Sequence, residues 1–182
     1  TWIRRTVYSG ANDVCQSISD SILITVLPSI NGNIISSDQI ICQNTEADII
    51  NGNPLSGGGG GPYIKQWEYR QNGFDNWNST GDDELDHAPG TLTDDGTFYY
   101  RRIVLSGPEN TCSDTSEHIS IVVQPEISDN LILDFGPETC LNTPPDLLDG
   151  SANPQGGDGN PFFLWEQSSD NYWNNGTYGN YW

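Results

Sequence analysis

The sequence has no methionine and only two histidines, and Lys plus Arg total 6 against 25 Asp plus Glu. The resulting formal charge of -19 excludes nucleic acid as a partner, because phosphates require a positive surface. Anionic membrane surfaces are excluded on the same ground. No apolar run is long enough to span a bilayer, so no membrane insertion is expected, and Thr1 to Tyr8 carry no signal-peptide pattern. No stretch sustains a 3.6-residue apolar period between helix caps. The four cysteines form no C-x-x-C pair, which argues against zinc. Neither His87 nor His118 lies in a nucleophile motif, and paired carboxylates in so acidic a chain say nothing about glycosidase chemistry. No catalytic residue, and no enzyme, is expected.

What the sequence does have is bulk and repetition. Its 6 Trp, 8 Tyr and 5 Phe are too much large apolar surface for a chain that stays unfolded. Trp2-Ile3-Arg4-Arg5-Thr6-Val7-Tyr8-Ser9-Gly10 returns as Tyr100-Arg101-Arg102-Ile103-Val104-Leu105-Ser106-Gly107, with Arg4 and Arg101 97 positions apart. Cys15 and Cys112, and Pro28 and Pro125, keep that offset. Cys42 and Cys140, Gly52 and Gly150, and Trp67 and Trp165 are 98 apart, so one residue is inserted between Pro125 and Cys140. Proline cannot continue a central strand ladder, so Pro28 and Pro125 mark the boundaries. One complete repeat then covers 28–124. Residues 1–27 are the C-terminal strands of a preceding repeat, and 125–182 the N-terminal part of a following one.

Segments such as Ile64 to Arg70, Phe98 to Leu105 and His118 to Val123 are short, alternating and rich in β-branched and aromatic residues. Gly, Pro, Asn and Asp bound them. The expected fold is all-β, a tandem series of immunoglobulin-like β-sandwich repeats of about 97 residues, with Trp67, Phe98, Tyr99, Tyr100 and Trp165 as core residues. Asp94-Asp95-Gly96-Thr97-Phe98-Tyr99-Tyr100 resembles the immunoglobulin turn into strand F, with Phe98 where the corner tyrosine would stand.

The segments Ser36 to Gln43 and Tyr99 to Ser116 resemble the recurring motifs of giant extracellular repeat proteins of Bacteroidota. Those proteins are similar to gliding-motility and surface adhesins exported by type IX secretion. The resemblance implies a cell-surface or released filamentous location, carries no catalytic residues, and names no ligand. The expected function is a structural or adhesive repeat segment. The alternative is a carbohydrate-binding β-sandwich module attached to a secreted enzyme. Expected partners are neighbouring repeats, identical chains in a fibre, and surface glycans.

Four features have competing readings. A disulfide framework suits the cysteines, either as Cys42–Cys112 within one repeat, the favoured pairing, or as Cys15–Cys42 and Cys112–Cys140 across the boundaries. Of each arginine pair, Arg4-Arg5 and Arg101-Arg102, one faces solvent and one lies along the sheet with its head near carboxylates. Asp82, Asp83, Glu84, Asp86, Asp94 and Asp95 supply the hard oxygen ligands calcium takes, the one cofactor the composition suggests, although solvated acidic loops are the commoner case. Trp77 and Trp173 recur nearly in register, and packing within the sandwich is favoured over stacking on sugars.

Overall fold

The computed structural model describes residues 1–133, 138–144, 148–151 and 154–166, with strands from Trp2 to Gln124 and isolated bridges among the described residues after it. The chain is all-β: among the described residues the only helical turns are two three-residue 3-10 turns, Ala11–Asp13 and Pro108–Asn110. The strands are β1 Trp2–Ile3, β2 Thr6–Ser9, β3 Cys15–Ile18, β4 Ile22–Leu23, β5 Ile30–Asn31, β6 Gln39–Cys42 and β7 Thr45–Glu46. They continue with β8 Ser56–Gly57, β9 Ile64–Gln71, β10 Asn78–Ser79, β11 Thr91–Leu92, β12 Gly96–Ser106, β13 Cys112–Thr115 and β14 Ile119–Gln124.

The eleven-residue β12 is the spine. It pairs antiparallel with β9 on one side and with both β13 and β14 on the other; β10 extends the sheet beyond β9, and β6 runs parallel to β14. Alternation along β12 sends Phe98, Tyr100, Arg102, Val104 and Ser106 to the buried face and leaves the residues between them half-exposed. Trp67 from β9 and Ile119, Ile121 and Val123 from β14 share that face. The β5–β8 and β7–β11 pairs, with Ala47, Ile50 and Leu92, close over it as a second layer, giving a sandwich-like core.

Two expected core residues are placed elsewhere. Tyr99 faces outward, because its neighbours Phe98 and Tyr100 take the inner positions of a period-two strand. Trp165 is 54% exposed where its counterpart Trp67 is 0%, because among the described residues no strand like β12 lies over it.

The N-terminal segment reproduces the end of the complete repeat bond for bond. Thr6↔Ile18 and Ser9↔Cys15 match Ile103↔Thr115 and Ser106↔Cys112, and Ile3↔Ile22 matches Tyr100↔Ile119. The Ser19 amide donates to the Arg5 carbonyl as the Ser116 amide does to Arg102, both at 2.9 Å. The turns between these strands use left-handed Asn12 and Asp13 in one copy, Glu109 and Asn110 in the other. The segment after Pro125 likewise repeats the start of the repeat. Gly157 donates to Pro125 as Gly58 does to Pro28, the Ile132↔Gly150 bridge matches Ile35↔Gly52, and Ser151 donates to Leu131 as Asn53 does to Ile34.

The Cys42–Cys112 disulfide is not formed, and all four thiols are free. Cys42 lies opposite Gln124, next to the Val123↔Gly96 pair, whereas Cys112 lies opposite Ser106 at the other end of β12. Ten residues of strand separate the two levels, about 33 Å, against the ~7 Å between Cα atoms that a disulfide can span. The cross-boundary pairings fail for a related reason. Pro28 enters at the Cys112 end, where the Gly58 amide donates to its carbonyl and the Ser106 hydroxyl donates to the carbonyl of Gly58; Gln124 leaves at the Cys42 end. Cys15 sits at the far turn of its hairpin, so both Cys15–Cys42 and Cys112–Cys140 would have to reach past a whole repeat.

Candidate functional site

The open face of the main sheet gathers the polar aromatics. The register sets Tyr99 opposite Arg70 and Arg101 opposite Glu68, all on the outward positions of β12 and β9. Trp77, the residue before β10, closes over them. The Arg101 guanidinium carbon stands 4.1 Å from the Trp77 ring centre, and that of Arg70 stands 4.6 Å from it and 5.1 Å from Tyr99. Arg101 also holds Glu68, Nη2 to Oε2 at 2.7 Å. The exposed His118 ring lies edge-on to Tyr99 at 5.3 Å. Arg70 Nε is buried without a hydrogen-bond partner, its guanidinium resting on π-faces instead. Trp77 is therefore half-exposed on the outer face and not packed between the layers as its position suggested. Trp173 lies outside the described residues.

Among the described residues no hydrogen bond joins a histidine to a serine, threonine or cysteine, so no activated nucleophile is assembled. Trp77 is also a poor sugar platform, since two guanidiniums already engage its ring.

The opposite face holds the second polar assembly. Arg102 is fully buried, yet its partners are neutral: Nε donates to Asn33 Oδ1 at 2.9 Å, Nη1 to the Leu85 carbonyl at 2.7 Å, and Nη2 to the carbonyls of Asn53 and Gly32 at 3.3 and 3.5 Å. The expectation of a head near carboxylates is met by the charge of Asp86, while the hydrogen bonds themselves go to loop carbonyls and the Asn33 amide oxygen. Burial lowers the Arg102 pKa, and the charge of Asp86 opposes that shift. Gly52 makes the room, since a Cβ there would land on Arg102 Nη1 and the Leu85 carbonyl. Arg102 ties the loops carrying Gly32, Asn53 and Leu85 to the spine strand. No motif in the sequence announces this hub; its only signal is a cation inside an alternating strand.

The acidic residues are spent on local structure. Asp82 Oδ2 bonds His87 Nδ1 at 2.8 Å, Asp82 Oδ1 accepts the Glu84 amide, and Asp86 accepts the Gly52 amide. The Glu84 carbonyl, not its carboxylate, takes the Trp67 indole N–H at 3.1 Å. Asp83, Asp94 and Asp95 are exposed. Among the described residues no three His, Cys, Asp or Glu side chains stand where they could hold a metal together. His87 is instead a core residue, buried and stacked on Trp67 with ring centres 5.4 Å apart.

Partial burial works to raise the Asp82 pKa, but the His87 bond and the Glu84 amide outweigh it and leave it below the ordinary 3.8. A depressed carboxyl contributes stability above its unfolded pKa and loses it as pH falls through its folded value. Asp82→Asn is expected to cost about 1 kcal/mol at pH 7 and to flatten the acid limb of stability below about pH 4. Urea titrations of wild type and variant at pH 7 and pH 3 measure both; a variant that keeps the full acid limb removes Asp82 from its cause.

A family model described as a domain of unknown function, DUF8696, matches residues 31–125. The chain belongs to this family. The DUF8696 match contains the spine strand, the buried Arg102 hub and the outer Trp77 cluster, and both flanking half-repeats lie outside it. No curated protein and no solved structure matches the chain.

Proposed function

We propose that this chain is a structural or adhesive repeat segment of a large secreted or cell-surface filamentous protein, similar to the type IX-exported repeat proteins of Bacteroidota, and that it performs no catalysis. The supporting observation is that one hairpin is built twice, with the same register, turn geometry and side-chain bonds, on either side of a single boundary. A protein that spends its length on copies of one module uses the module for extension or spacing. The acidic surface suits a soluble, extended rod, because like charges along an array repel. We read the sandwich as immunoglobulin-like, with Trp67 on a central strand and the Asp95-Gly96 turn leading into β12 in support.

The carbohydrate-binding alternative rests on Trp77, whose ring is already covered by arginines. The test pairs a glycan array on the whole chain with antibody labelling of intact producing cells. No selective glycan and labelling at the outer surface are expected. Selective binding abolished by Trp77→Ala would replace this reading with the binding module, and labelling confined to the cell interior would end the extracellular reading.

A further inference from the structure

We propose that Arg70, on the open face of the main sheet, receives a carboxylate from a partner peptide, a Glu or Asp side chain flanked by basic residues. The site lies wholly within the complete repeat and stands whether the array is a stalk or a binding module.

The arginines of the complete repeat show how this fold treats a guanidinium, and Arg70 departs from the pattern. Arg101 sets both Nε and Nη2 on Glu68 Oε2, at 2.8 and 2.7 Å. Arg102 spends its N–H groups on Asn33 and on loop carbonyls. Arg70, among the described residues, makes no ion pair and no hydrogen bond, and its Nε is buried with no acceptor. A buried N–H without an acceptor is uncommon in a folded protein and marks a place for a water, an ion or a ligand. The repeat scaffold does not demand an arginine here. Trp67 and Glu68 return 98 positions on as Trp165 and Glu166, whereas Arg70 returns as Ser168.

The surroundings of Arg70 hold it in place without using its donors. Trp77 and Tyr99 keep the guanidinium carbon over their ring faces, at 4.6 and 5.1 Å, an attraction that leaves the in-plane N–H groups to be satisfied separately. A side chain restrained in this way gives up little further rotamer freedom when a ligand arrives, so more of the contact is realised as affinity.

Charge selects the ligand. The register places Arg70 opposite Tyr99 and Glu68 opposite Arg101, so the unpaired guanidinium has a carboxylate as neighbour on its own strand face. A monoanion suits that setting, and a dianionic phosphate meets repulsion from Glu68. A carboxylate also matches the planar fork of a guanidinium. The rim has the opposite sign: Asp75 precedes Trp77 by two residues, Asp94 and Asp95 lead into β12, Glu117 precedes His118, and all four are exposed. Basic residues beside the ligand's acid answer this rim. The chain's formal charge of -19 draws such a segment in and repels a wholly acidic one. The same repulsion disfavours a second copy of the chain as occupant. A sugar acid would have to compete with two arginines for the Trp77 ring.

The test titrates the whole chain, labelled with heavy nitrogen, with the acetylated and amidated peptide Lys-Ser-Glu-Ser-Lys near neutral pH and about 0.15 M salt. Saturable shifts of the Arg70 Nε–H and Trp77 indole N–H signals are expected, with a dissociation constant on the order of 1 mM. Replacing the peptide's Glu by Gln, or Arg70→Gln in the protein, should weaken binding at least about tenfold. Arg70→Lys should restore little of it, because an ammonium lacks the fork. A thermal melt shows whether Arg70→Gln loosens the sheet, and the comparison of the two peptides on wild type decides the matter even then. Equal binding of the Glu and Gln peptides overturns the proposal, as does an Arg70 Nε–H signal that does not move. An oligogalacturonate that binds more tightly than the peptide would transfer the site to sugar acids, and self-association abolished by Arg70→Gln would transfer it to a second copy; either overturns the peptide assignment. The glycan array and the cell labelling test the array reading separately.

Discussion

Arg102→Met is expected to destabilise the complete repeat by at least about 3 kcal/mol, a large part of the 5–15 kcal/mol that holds a typical domain together. The substitution preserves much of the stem's packing volume but strands the Asn33 side chain and the carbonyls of Leu85, Asn53 and Gly32. Each buried acceptor left unpaired costs about 1–3 kcal/mol, offset in part because the desolvated charge is gone. Arg102→Lys should recover only part of the loss, since an ammonium cannot span the same fork of acceptors. Urea unfolding followed by tryptophan fluorescence reports the change, because Trp67 lies opposite Arg102 in the β9–β12 register and its ring centre is 5.6 Å from the guanidinium carbon. A loss under about 1 kcal/mol would mean that water reaches these carbonyls and that the hub is dispensable.

Gly52→Ala is the second large effect, expected at about 2–4 kcal/mol. The added methyl overlaps Arg102 Nη1 and the Leu85 carbonyl together. The side chain can retreat only by abandoning its acceptors, and the carbonyl belongs to backbone. Gly150→Ala is the matched control. Its Cβ would find ordinary contacts at 3.6 Å and beyond, so the change should stay within about 0.5 kcal/mol. Thermal melts of the two variants compare them directly, and equal shifts would show that Gly52 does not make room for Arg102. The pair separates a glycine packed under a guanidinium from the same repeat position where, among the described residues, a Cβ meets only ordinary contacts.

Alternation in Phe98 to Leu105 and the two prolines were enough to read strands, a repeat and an all-β class, because period-two patterning and the missing proline N–H are local properties of the chain. The absence of helical periodicity was equally legible. The inside of β12 was harder to assign. A period of two says that Tyr99 and Tyr100 part company without saying which turns inward, and only the seating of Arg102 over Gly52 decides it. A nearby carboxylate was the natural expectation for a buried cation and Asp86 supplies its charge, but the hydrogen-bond acceptors came from loops distant in sequence as carbonyls.

The sequence by itself determined the all-β class, the acidic surface and the equivalence of the N-terminal segment with the end of the complete repeat, since all of these follow from residue order and spacing. Tertiary structure alone decided the rest. Cysteine spacing allowed three pairings, and the length of β12 with the direction of chain entry and exit removed all three. Trp67 and Trp165 occupy the same position in the repeat, and one is buried while the other is open because burial depends on which strand lies above, a property no residue carries in its own side chain.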